Sequence, residues 1–141
     1  VGTVTERAER LVRVTKEAFF EALKVVKPGM HVGDIGHAIQ TYVEGHGYNV
    51  SRDYTGHGIG SNMHEDPSIP NYGKAGTGAK LVPGMTIAIE PMVLEGRKDT
   101  RVLGDGWTVK SKDGKLTAHY ENTIVVTEDG YEIITMYEGE K

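Results

Sequence analysis

Apolar residues recur at helical spacing over residues 4–27, where Ala8, Leu11, Val12, Thr15, Ala18, Phe19, Ala22, Leu23 and Val26 share a face. Thr3 followed by Glu6 has the capping-box pattern, and Lys24, Lys27, Pro28 and Gly29 form a stop signal. A second amphipathic helix is predicted over 33–45, with Ile35, Ala38, Ile39, Tyr42 and Val43 on one side and Gly45 and Gly47 ending it. Beyond residue 47 the helical period gives way to short β-like runs at 48–52, 86–93, 107–110, 118–126 and 131–135. Pro83-Gly84, Gly104-Asp105-Gly106, Asp113-Gly114 and Asp129-Gly130 punctuate them as turns. Two helices followed by a series of strands define an α+β fold, with the helices on one face of an antiparallel sheet.

The length of 141 residues suits a single domain, 1–141, with one core. A net charge of -4 without any Lys/Arg run argues against nucleic acid as a partner. The absence of cysteine excludes disulfides, thiolate metal sites and a cysteine nucleophile, and fits a cytoplasmic setting. No apolar stretch approaches a membrane span, so no membrane association is expected. The sequence opens on Val1, which implies either a removed methionine or a start partway through a longer protein.

Four polar residues stand where packing alone does not call for them. His57 lies in Thr55-Gly56-His57-Gly58-Ile59-Gly60, where the flanking glycines permit positive φ or a close backbone approach. A phosphate loop is excluded there, because no Gly-Lys-Ser/Thr ending follows. Metal or substrate binding and a plain turn histidine both fit that segment. His64 precedes Glu65-Asp66-Pro67; Ser68 occupies the position of a second zincin histidine, and Pro67 argues against a helix, so His64 is read as a loop or strand residue suited to hydrogen bonding. Glu90 interrupts the apolar run Met85–Val93, and Glu121 precedes Ile124-Val125-Val126. A carboxylate in such a strand must be paired, protonated or metal-bound if buried; a sheet-edge acid is the alternative for each. One imidazole with two carboxylates suits Mn, Fe, Co or Zn better than Ca or Mg. Spacing does not establish that the three converge. Met63 and Trp107 could shape a specificity pocket, although core packing is the commoner fate of both types. His31, His37, His46 and His119 are read as surface or supporting residues.

As an ordered set these segments resemble type I methionine aminopeptidase. The resemblance rests on Gly-His-Gly-Ile-Gly at 56–60, His-Glu-Asp-Pro at 64–67, Pro-Gly-Met-Thr-Ile-Ala-Ile-Glu-Pro-Met at 83–92, Asp-Gly-Trp-Thr-Val at 105–109 and Tyr-Glu-Asn-Thr at 120–123. It runs over essentially the whole chain. It implies half of a pita-bread fold, with two helices on a curved antiparallel sheet. It implies that His57, Glu90 and Glu121 are ligands in a centre of two divalent metals (Co, Mn, Fe or Zn), and that Glu90 is the general acid–base. His64 is implied to hydrogen-bond the peptide and stabilise the tetrahedral intermediate, with Met63, Met92 and Trp107 flanking a methionine pocket. The implied reaction removes the N-terminal methionine from peptides and nascent proteins. The family's other two ligands are aspartates upstream of the segment matched here, as is a further substrate histidine. The chain is therefore expected to carry the C-terminal half of the site, to bind metal weakly on its own, and to have an N-terminal half as a further partner. The alternative is a non-catalytic pita-bread half that binds peptide or a partner protein.

Overall fold

The structure, a computed structural model, describes residues 2–137. Helix α1 spans Glu6–Leu23 and helix α2 spans Val32–Gly45. The strands are β1 Asn49–Val50, β2 Gly56–Gly58, β3 Glu65–Ile69, β4 Thr86–Ile89, β5 Met92–Leu94, β6 Thr100–Val102, β7 Val109–Ser111, β8 Thr117–His119, β9 Asn122–Val126 and β10 Tyr131–Ile133. The expected architecture is present: α1 packs on α2, and both lie against one side of antiparallel sheet.

The helix boundaries needed correction. Thr5, not Thr3, caps α1, its Oγ1 accepting the Ala8 N–H at 3.3 Å. The α1 stripe is also shifted: Val14 is buried, whereas Val12 lies on the rim of the stripe and is 61% exposed. In α2, Ile35, Ile39 and Val43 enter the core as expected, while Ala38 and Tyr42 are only partly covered.

Asp34 fixes the start of α2. Its Oδ2 accepts the backbone N–H of His31 at 2.7 Å, and its Oδ1 accepts that of Gly76 at 2.8 Å. The His31 bond, opposed by burial and reinforced by the Gly76 bond, holds the Asp34 carboxyl below the ordinary aspartate range. A group depressed in the folded state stabilises above its unfolded pKa, and that contribution disappears as pH falls through the folded value. Asp34→Asn is therefore expected to cost about 1–2 kcal/mol at neutral pH, since an amide cannot accept both bonds. In urea melts across pH, the gap to the unaltered chain should be constant above about pH 5 and close below about pH 4.

The main sheet has the order β10-β9-β4-β2-β3, and a smaller one has the order β1-β5-β8. The run predicted at 86–93 divides into β4 and β5, and that at 118–126 into β8 and β9. The register nevertheless continues across the gap: Ile89 pairs with Asn122, and Met92 with His119. The break falls at Glu90-Pro91 on one strand and Tyr120-Glu121 on the other, where Pro91 has no N–H to offer the ladder. The strands at 56–58, 65–69 and 100–102 lie outside the predicted runs, and the run at 107–110 begins two residues later as β7. β3 carries Pro67 and is an edge strand, where a missing donor is tolerated.

Alternation along β4 and β9 divides chemistry from core. Ile87, Ile89, Ile124 and Val126 join the hydrophobic cluster with Leu11, Phe19, Leu23, Ile35 and Ile39. Phe19 and Phe20 close over Tyr120, with ring centroids 5.4 and 6.4 Å away. No described helix is long and apolar enough to cross a membrane.

Candidate metal centre

The antiparallel register brings the two acids together. Because Ile89 opposes Asn122 in that ladder, the next residues outward, Glu90 and Glu121, oppose one another at the strand break. His57 on β2 pairs with Ala88, two residues before Glu90, so its side chain shares Glu90's side of the sheet. Nε2 of His57 lies 3.3 Å from Oε1 of Glu90. The ligand atoms of His57, Glu90 and Glu121 all fall within 4.8 Å of one another. One residue of β2 and two residues just beyond the ends of β4 and β9 therefore converge.

The glycines beside His57 serve close approach rather than positive φ. A Cβ on Gly56 would stand 2.3 Å from the Ala88 carbonyl oxygen, and one on Gly58 would stand 2.2 Å from that of Asp66. The irregular step between His57 and Gly58, where β3 shifts register, produces the second contact.

The donor chemistry of this cluster calls for a cation. Nδ1 of His57 is 2.8 Å from the Gly58 carbonyl, which can only accept, so Nδ1 carries a proton. A neutral ring then turns the Nε2 lone pair onto the Glu90 carboxylate, and a second carboxylate faces the first. Two facing like charges are unfavourable in a sheet. A proton or a metal cation between these atoms relieves the arrangement. Glu90 is well covered, with a side chain 12% exposed, so water offers it limited relief. The set of one nitrogen and two carboxylate donors fits a divalent metal.

The other predicted residues are distributed unevenly. His64 stands beside the centre, its ring centroid 4.4 Å from that of His57. Met92, partly buried, lines a cavity of about 300 Å³ together with Ser51, Tyr54, Thr117 and His119. Met63 is 72% exposed, and Trp107, on the turn between β6 and β7, is 87% exposed. Neither is packed into the core.

The reading of His119 requires extension, because it is exposed yet reaches the centre. Its Nε2 lies 3.1 Å from Oε2 of Glu90 and 3.7 Å from Oε2 of Glu121. The Glu90 hydrogen bond, only partly offset by burial, raises the His119 pKa above its usual value. Period-two alternation could have identified it: His119 lies two residues before Glu121 and so points to the same side. Asn71 was missed. It is fully buried and donates from Nδ2 to the Glu90 backbone carbonyl at 2.9 Å. An asparagine in a Pro-Asn-Tyr-Gly turn gives no local sign of that contact.

This fold and site define a metallopeptidase half-domain, and the comparisons place it in a family. Metallopeptidase family M24 matches residues 1–128, and the chain belongs to that family. It is 51% identical over 138 residues to a methionine aminopeptidase of Clostridium acetobutylicum, covering 98% of this chain and 55% of the relative. It is 52% identical over 136 residues to that of Escherichia coli K12, covering 96% and 52% respectively. The crystal structure of methionine aminopeptidase from Rickettsia prowazekii superposes with a TM-score of 0.94 at 51% identity, over 96% of this chain and 55% of that one. A prolidase from Pyrococcus furiosus superposes with a TM-score of 0.70 at 26% identity, over 98% and 35%. The chain thus spans about half the length of the curated relatives it matches.

Proposed function

We propose that this chain supplies the C-terminal half of a methionine aminopeptidase site, acting on the N-terminal methionine of peptides and nascent proteins in the cytoplasm. The observation that carries the reading is the convergence of His57, Glu90 and Glu121, with the His57 ring fixed so that Nε2 faces the Glu90 carboxylate. Those three residues would hold divalent metal, two ions in the complete enzyme and drawn from Co, Mn, Fe or Zn. Bound there, the metal would supply Lewis-acid polarisation of the scissile carbonyl and of the attacking water.

The remaining work belongs to side chains. Glu90 takes a proton from the water as it adds to the carbonyl carbon, then returns a proton to the amine nitrogen as the C–N bond breaks. His64, exposed beside His57, hydrogen-bonds the peptide and the developing oxyanion. Met92, with Met63 and Trp107, flanks the methionine side chain. The latter two are exposed in this chain, and we assign their cover to the remaining portion of a longer enzyme, which would also bring the two further aspartate ligands.

The test is release of methionine from a Met-Ala peptide. The longer protein containing this sequence is expected to release it with added Co(II) or Mn(II) and to stop in EDTA, while the 141-residue chain alone shows little or no turnover. Full turnover by the chain alone would show that its site is complete and overturn the half-site reading. No turnover by the longer protein, with Met-Ala binding retained, would favour the peptide-binding alternative.

A further inference from the structure

We propose that His119 is a positioning residue for the metal centre: its Nε2–H donates to Oε2 of Glu90 and aims Oε1 at the metal position beside His57. The inference rests on the metal-centre reading above.

The geometry assigns each Glu90 oxygen a separate partner. Oε1 lies 3.3 Å from His57 Nε2, and Oε2 lies 3.1 Å from His119 Nε2. Oε1 faces the bare Nε2 of His57 without a hydrogen bond, so the His119 bond to Oε2 is what fixes the terminal torsion of the carboxylate. Because a carboxylate only accepts, the proton in the His119 contact must sit on the ring. The backbone of Glu90 is held independently, by the Asn71 amide on its carbonyl. Main chain and side chain are therefore both fixed before any ligand arrives.

His119 reaches this position because of the sheet. It pairs with Met92 across β5 and β8, on the far side of the Glu90–Glu121 break, and leans back over both acids. An Nε2 that carries the proton of this contact has no lone pair for a metal, so His119 acts on a ligand rather than as one. Hydrogen bonds from outside the ligand set orient ligating carboxylates, and losing one typically lowers metal affinity by about 10–100-fold. The His119 side chain is 48% exposed, so substitution leaves no core cavity.

The test compares Co(II) affinity by calorimetric titration of the unaltered chain, His119→Gln and His119→Leu. Glutamine can still donate an N–H to Glu90, and leucine cannot. His119→Leu is expected to bind about 10–100-fold more weakly, and His119→Gln within about threefold of the unaltered chain, a smaller change than one lost hydrogen bond. Circular dichroism melts confirm that all three forms are folded. Equal affinity of His119→Leu and the unaltered chain overturns the inference alone, as does a glutamine variant as weak as the leucine one. If no form binds Co(II) even within the longer enzyme, the metal-centre reading falls and takes this inference with it. A second measurement needs no metal: ring nitrogen shifts in EDTA should show His119 protonated at Nε2, and a bare Nε2 overturns the assignment.

Discussion

Glu90→Gln in the longer enzyme is expected to lower kcat for a Met-Ala peptide by about a hundredfold to ten-thousandfold, the range for removing a general acid–base group. The loss has two sources, since glutamine neither carries the proton nor supplies a charged ligand. The same substitution should leave the metal-free 141-residue chain at least as stable as before. Glu90 and Glu121 face one another at the strand break, and neutralising one removes a like-charge contact. Glutamine also keeps an oxygen that can accept from His119. Kinetics of the longer enzyme together with melts of the chain in EDTA check the claim. Unchanged kcat would remove Glu90 from the mechanism. A large drop in metal-free stability would mean that Glu90 serves the fold rather than the chemistry.

Gly58→Ala is the second large effect and arises from backbone alone. The added methyl would stand 2.2 Å from the Asp66 carbonyl oxygen and 3.0 Å from that of Glu65, both main-chain atoms that cannot rotate away. β3 must move off β2, at a cost of about 2–4 kcal/mol in urea denaturation. His57 precedes the altered residue and donates to the Gly58 carbonyl, so its ring loses its orientation as well. Weaker Co(II) binding should therefore accompany the lost stability. Wild-type values for both would show that the β2–β3 contact is not needed to place His57.

Much of this was legible in the chain itself because the signals are local. Helix α2 follows from Ile35, Ile39 and Val43 at helical spacing, and Pro67 excluded a zincin helix at His64 without any coordinates. Glu90 stood out because a carboxylate amid Ile87, Ala88, Ile89 and Met92 is costly unless it has a partner. Helix ends were less legible: Thr3 and Thr5 both precede an acid-rich first turn, and only the observed Ala8 N–H contact selects Thr5. The runs 86–93 and 118–126 read as continuous strands because β-forming residues stand on both sides of Glu90-Pro91 and of Glu121. Their interruption shows only when Pro91 and Tyr120 are seen side by side.

The sequence by itself determined the residue types and their order: one glycine-flanked histidine, a second close behind it, and two acids set in apolar strands. That ordered set also carries the resemblance to type I methionine aminopeptidase. Tertiary structure alone decided that His57, Glu90 and Glu121 meet, because register between strands up to 64 residues apart depends on pairing that no single segment encodes. It decided equally that His119 and Asn71 hold Glu90 in place. A hydrogen bond across 29 or 19 residues leaves no periodic trace in the sequence, whereas burial of an apolar face does.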